Sequence, residues 1–197
     1  MLASLLGDES SSSTEAVAER LHVGVDVAER CLAALERDGL VERGDNGEWR
    51  LPELDPRELR ELYPAVAILE TLALRQSPPF EPSTLAALKA ANADLRAAAG
   101  DPPAAIAADY DFHERLTRDC GNPGLLAVLG SIKRALMRYE RVYMHDSERI
   151  ERSAAQHDRI IAALEAGEHG RASDLVRENF TSSLPDLASQ FEDDTTA

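Results

Sequence analysis

Asp109-Tyr110-Asp111-Phe112-His113-Glu114-Arg115-Leu116 is the stretch on which the fold turns. Asp109 and His113 are four residues apart, so a helix puts them on one face, next to the apolar Phe112 and Leu116. The helical periodicity of apolar residues continues on both sides. It is broken at Ser77-Pro78-Pro79, Gly100-Asp101-Pro102-Pro103, Gly121-Asn122-Pro123, His145-Asp146-Ser147 and Gly167-Glu168-His169-Gly170. These breakers delimit expected helices at 56–76, 82–99, 102–119, 123–145, 148–167 and 169–191. Asp55 ahead of Pro56 forms an N-cap with proline at the first helical position. Pro64 is expected to kink or restart that helix. The connections are short, so successive helices run antiparallel.

Helical rise then converts spacing into height. With the Gly121-Asn122-Pro123 turn as zero, His113 lies about 13 Å up its helix and Asp109 about 19 Å up. The 123–145 helix climbs about 34 Å, and the next descends far enough to bring His157 to about 19 Å. The last helix climbs again, and Asn179 returns to the level of His157. Asp109, His113, His157 and Asn179 therefore share one layer, flanked by Phe112, Leu116, Ile160, Ile161, Val176 and Phe180. Two histidines and a carboxylate converging inside a bundle fit a divalent transition-metal site, with Zn, Ni, Mn or Fe as candidates. A buried polar network without metal is the alternative. On the 123–145 helix, Arg134 and Arg138, with Tyr139 beside them, are candidates for holding an anionic ligand. Leu125, Leu129, Ile132 and Leu136 on that helix read as core. His22, His145 and His169 fall outside the layer.

The first quarter of the chain has another pattern. Ser10–Ser13 reads as a polar loop. Ser13 or Thr14 caps a helix to about Leu21, with Ala16, Val17 and Leu21 on one face. A second helix runs from about Val25 to Asp38 with Val27, Cys31, Leu32 and Leu35 as its buried stripe, and Gly39 ends it. Leu40–Arg43 is a strand, Gly44-Asp45-Asn46-Gly47 a hairpin turn, and Glu48–Leu51 the return strand. The expected organisation is a helix, turn, helix, β-hairpin unit over 1–51, a linker over 52–55, an all-α domain over 56–191 and a disordered tail over 192–197.

Composition narrows the function. The 197 residues carry 21 basic against 36 acidic side chains, a net charge of −15 and a pI of about 4.7. No apolar run approaches the roughly 20 residues of a membrane span. The N-terminus lacks a basic segment and makes a poor signal peptide. Cys31 and Cys120 form no CxxC pair and read as reduced thiols, so a cytoplasmic protein is expected. Such an acidic chain is repelled by nucleic acid unless a basic patch overrides the net field. Residues 1–51 hold five basic and eleven acidic residues, a net −6 with no basic footprint. Arg30, Arg43 and Arg50 remain candidates for phosphate contacts.

The helical part resembles the ligand-sensing FCD domain of the GntR regulators, in their FadR branch, from about Leu62 to Phe180. The likeness starts at Leu62-Tyr63, Leu69-Glu70 and Leu72-Ala73, and is clearest at Asp109–Leu116, which resembles the family's D-x-x-F-H segment. Gly121-Asn122 with Leu125-Leu126 and the run Gln156–Gly167 continue it. The resemblance implies that Asp109, His113, His157 and Asn179 stand where metal-binding members have one Asp and three His. Asn179 departs from that pattern. The resemblance also makes the N-terminal unit a winged helix-turn-helix. Val25 and Glu29, however, occupy positions where the family presents arginines to DNA.

Three functions follow as expectations. The first is a transcription regulator, a homodimer that binds a small organic acid in its helical domain and DNA through its N-terminal unit. The second is a metal-dependent enzyme on the regulator fold that has lost DNA binding, with the Asp109, His113, His157 site at its centre. Glu114, Tyr110 or Tyr139 would be its proton donors. The third is a binding module whose acidic N-terminal unit contacts protein.

Overall fold

The computed structural model describes residues 11–53 and 55–190, with the side chains of 138 and 141–143 outside that description. The expected disordered tail over 192–197 also lies outside the described residues. The chain divides after residue 54 into two compact units.

The first unit holds β1 (Ser11–Ser12), α1 (Thr14–Leu21), α2 (Val25–Arg37), β2 (Glu42–Arg43) and β3 (Trp49–Arg50). The three strands form an antiparallel sheet in the order β1-β3-β2. Ser10–Ser13 is thus not simply a loop. Ser11 pairs with Arg50 and Ser12 with Trp49, and the Ser11 hydroxyl donates to Glu48 Oε2 at 2.6 Å. Hydroxyls that pair with a neighbouring strand carry no signal of period two, so the tract hides its strand. Ser13 caps α1 by accepting from Ala16 N, as its sequence position implies.

Both helical stripes of this unit are met in part, with Val17, Leu32 and Leu35 on the core side as expected and the other positions shifted. Val17 and Ala18 are the buried residues of α1, and Leu21 is exposed. In α2 the buried residues are Ala28 and Leu32, while Val27 and Cys31 face outward. The core is Val17, Ala18, Ala28, Leu32, Val41 and Trp49, with Leu35 packed against it. Small alanines let α1 and α2 approach the bulky Trp49, and that close packing selects a face that hydrophobicity alone does not. Gly39 ends α2 with φ of +69°, where a side chain would be strained.

The second unit is all helical: α3 (Pro56–Gln76), α4 (Pro82–Ala97), α5 (Pro102–Thr117), α6 (Pro123–Tyr143), α7 (Ser147–Glu165) and α8 (His169–Ser189). Asp55, Asp101, Asn122 and Asp146 cap four of them by accepting backbone N–H groups. Pro64 sits inside α3 without ending it, so the restart expected there does not occur. Helix α3 packs against α8 and α6, α4 against α5 and α7, and α7 against α8. At the α7–α8 turn Gly167, with φ of +72°, lets Glu168 N reach Ala163 O at 2.8 Å. That tight return brings α8 back beside α7. Among the described residues no helix is long and apolar enough to cross a membrane.

Candidate metal centre

The layer expected from helical rise forms at the centre of the second unit. Asp109 and His113 come from α5 and His157 from α7. One donor atom of each lies within 4.8 Å of the others. His113 Nε2 is 3.9 Å from Asp109 Oδ2, and His157 Nε2 is 3.6 Å from Asp109 Oδ1. Ligands around a tetrahedral zinc-like ion are about 3.3 Å apart, from metal–nitrogen distances near 2.0–2.1 Å. Small side-chain shifts close the gap.

Each imidazole is held by its other nitrogen. His113 Nδ1 lies 2.7 Å from Glu70 Oε2, a carboxylate on α3 with no solvent exposure. His157 Nδ1 lies 3.1 Å from Asn92 Oδ1 on α4. The Asn92 amide is oriented in turn, donating to Ala154 O at 2.9 Å and to Asp158 Oδ1 at 2.8 Å. An acceptor at Nδ1 puts the proton there and leaves the Nε2 lone pair aimed inward. His157 Nε2 is buried and has no hydrogen-bond partner. The His157 ring stacks on Phe112 with centroids 3.7 Å apart, and His113 meets Phe180 at 5.0 Å. A carboxylate, two oriented lone pairs and apolar walls are a donor set that fits a divalent transition metal.

Burial and neighbouring charge set the protonation states. Burial lowers His157 well below the ordinary histidine value, helped by the charges of His113 and Arg96. For His113 burial also disfavours the cation, but Glu70 and Asp109 outweigh it and the pKa rises. Burial raises Asp109. Burial would raise Glu70 too, yet His113 and Lys133 hold it below the usual carboxylate value. Lys133 is itself buried and paired with Glu70. Glu140 on α6 is pushed up to about 8, first by burial and then by the charge of Asp109.

Two small cavities of about 10 and 20 Å³ adjoin the ligands. Each is sized for an ion or a water rather than an organic acid. Asn179 lines the second with Asp109 and His113, and its Nδ2 donates to Gln156 Oε1 at 2.7 Å. Lys133 and Glu140 line the first.

The expected ligand residues on α6 fare differently. Tyr139 is fully buried and turned away. Its hydroxyl reaches the backbone of Asp55, donating to the carbonyl at 3.1 Å, and contacts the Glu58 carboxylate, so it fastens the start of α3. Arg134 lies close enough to Tyr110 to favour its ionisation but lines neither cavity. Arg138 lies outside the residues whose side chains are described. The cation at the cavity is Lys133. Sequence spacing also missed Glu70, Asn92 and Glu140. Lys133 alone left a trace, as one of two lysines in a chain whose other basic residues are arginines.

In the first unit the three expected DNA arginines are all paired with acids. Arg30 bonds Asp26 at 3.1 Å, Arg43 bonds Glu29 at 2.5 Å, and Arg50 bonds Glu42 at 2.6 Å. Arg43 also lies over the Trp49 ring, 4.4 Å from its centroid. Glu29 further accepts from Thr14 Oγ1 at 2.9 Å, and that oxygen accepts from Trp49 Nε1 at 2.9 Å. Glu29 is thereby a structural residue of the unit.

Comparison with known proteins agrees with the fold. The family model for the FCD domain matches residues 61–182. Escherichia coli McbR/YncC has 17% sequence identity and a TM-score of 0.81, covering 97% of this chain and 92% of that one. A Rhodococcus sp. RHA1 protein assigned to the GntR transcriptional regulators has 18% identity and a TM-score of 0.79, with coverages of 95% and 91%. Listeria monocytogenes Lar, which controls expression of the agr system, has 18% identity and a TM-score of 0.65, with coverages of 92% and 87%. At these identities the likeness is one of fold. No curated protein sequence matches the chain.

Proposed function

The chain belongs to the FCD-domain family, and from that premise we propose that it is a metabolite-responsive transcription regulator acting in the cytoplasm. Its helical domain holds a divalent metal through Asp109, His113 and His157, with Asn179 at the edge of the same cavity. The convergence of two oriented Nε2 lone pairs on a mostly buried carboxylate carries this reading. The bound ion would supply Lewis-acid attraction for the carboxylate of a small organic acid. Glu70 and Asn92 orient the imidazoles, while Phe112 and Phe180 keep water out. The cavities are too small for an organic acid as the side chains stand, so its entry displaces α6 or α8 side chains. That displacement is the signal the domain would transmit.

The N-terminal unit is the DNA-contacting end in this reading, with Arg30, Arg43 and Arg50 exchanging carboxylate partners for phosphates. Exposed Ile68 and Leu72 on α3 and Val128 on α6 support a homodimer built on those helices. The test is a gel-shift assay of the full chain on its own promoter region at low salt, with and without Mn²⁺ or Zn²⁺. A sequence-specific shift that the ion changes supports the regulator. Binding no stronger than to random DNA, in both conditions, counts against it.

A second reading, a metal-dependent enzyme that has lost DNA binding, draws on the acid pairing of those three arginines. Its test is His157→Ala. That reading is lost if both metal content and any assigned turnover stay unchanged.

A further inference from the structure

We propose that Glu140 is a fourth protein ligand of the metal, standing in for the imidazole that Asn179 does not provide. The inference rests on the metal site described above. Of the residues lining the two cavities, four line both: Asp109, His113, Phe180 and Glu140. Two of these are ligands and one is an apolar wall. Glu140 is the fourth, and it projects from α6, a helix that contributes nothing else to the three-residue set.

Its carboxylate lies outside the group whose donor atoms are within 4.8 Å of one another, so ligation draws it inwards by a side-chain rotation. Oε2 is buried and has no hydrogen-bond partner among the described residues. A buried carboxylate oxygen without a partner is costly and rarely kept without a use. Glu70, the more deeply buried of the two, shows the contrast, because it is matched by Lys133 and by the His113 ring. With that lysine engaged, Asp109 and Glu140 face the same space as two carboxylates. A divalent cation between them balances both charges, and neutral imidazoles complete the shell.

Asn179 offers only its amide oxygen to the cavity, a weaker ligand than imidazole, because its Nδ2 donates to Gln156 at 2.7 Å. The resulting donor set is two imidazole nitrogens and two carboxylates. Carboxylate oxygen favours harder ions, so exchanging an imidazole for Glu140 shifts preference from zinc towards manganese or ferrous iron. Open coordination positions remain for water or an organic ligand.

Calorimetric titration of the metal-free full chain with Mn²⁺ and with Zn²⁺ tests the assignment. Wild type is expected to bind one ion. Glu140→Gln should weaken Mn²⁺ by more than about 100-fold, beyond the range for losing a mere supporting contact, and weaken Zn²⁺ less. Asn179→Ala should stay within about threefold of wild type, since a residue that ligates nothing costs little. Glu140→Gln keeps the side-chain shape, so the melting temperature of the metal-free protein should not fall. Glu140→Asp provides a second variant that retains the carboxylate, and partial Mn²⁺ affinity is expected. Equal Mn²⁺ affinity in wild type and Glu140→Gln overturns the role of Glu140 while leaving the three-ligand site intact. Loss of binding in Asn179→Ala alone overturns it likewise. No ion bound by wild type removes the site and the inference together.

Discussion

Glu70 has no solvent exposure, yet two groups depend on its charge, the His113 ring and the buried Lys133 ammonium. Glu70→Leu strips both partners at once and is expected to cost about 3–5 kcal/mol, the range for breaking a buried ion pair from one side. Adding Lys133→Met should recover part of that loss, because the stranded ammonium goes with it. Urea unfolding of the metal-free protein, followed by circular dichroism, reads both variants. Simple addition of the two single losses would show that Glu70 and Lys133 are not coupled. Glu140 gives a pH signature. Its pKa of about 8 in the fold exceeds the ordinary 4.5. The folded protein therefore holds a proton that the unfolded chain releases, and the stability this contributes is lost as pH rises towards 8. With chelator present, wild type should lose stability relative to Glu140→Gln between about pH 5 and 8, at no more than about 1.4 kcal/mol per pH unit. A constant difference between the two across that window would contradict the raised pKa. Asp109, His113 and His157 were legible in the sequence because helical rise fixes height. Glu70, Asn92 and Glu140 were not, because they reach the layer from helices whose rotation no spacing reveals.

At the scale of elements, the six long helices were legible to within about two residues at each end, since proline and capping side chains punctuate them. The winged unit was less so. Its two helices are short, and apolar side chains occur on more than one face. In α2, Val27, Cys31, Leu32 and Leu35 read as the inner stripe; Leu32 and Leu35 are on the core side, but Ala28 is inside while Val27 and Cys31 face out. Trp49 decides this, since its bulk sits under α1 and α2 and demands small neighbours. The choice of face has a measurable consequence. Leu32→Ala opens a cavity in that core and should cost about 2–5 kcal/mol. Val27→Ala, on the outer face, should change stability by less than about 0.5 kcal/mol. Trp49 is the chain's single tryptophan and is fully buried. Its fluorescence therefore follows the unfolding of this unit. Equal losses in the two variants would mean that the α2 stripe was rotated wrongly.

At the scale of the whole molecule, charge and apolar surface point to different partners. The net charge of −15 keeps copies apart at long range, so self-association has to come from local apolar contact. Three large apolar side chains on the second unit stand in water: Ile68 at 63%, Leu72 at 42% and Val128 at 53% exposure. Ile68 and Leu72 are one turn apart on α3, and α3 packs against α6, which carries Val128. The inner sides of the same helices are already satisfied by Leu69, Ala73, Leu125 and Leu126 packing together. The outer side chains are thus surplus to the core. Each exposed residue alone is ordinary, but apolar side chains left in water on two helices that pack together are candidates for cover by a second copy. A symmetric dimer places the same face of each copy together, so one charge per chain becomes two at the contact. If the proposed homodimer forms on this face, Ile68→Asp or Val128→Asp is expected to leave the protein monomeric with its helicity unchanged. Light scattering at several protein concentrations and salt levels measures it. High salt should tighten the wild-type dimer by screening its repulsion. A wild-type protein that stays monomeric at high salt, or aspartate variants that remain dimeric, would place the contact elsewhere or abolish it.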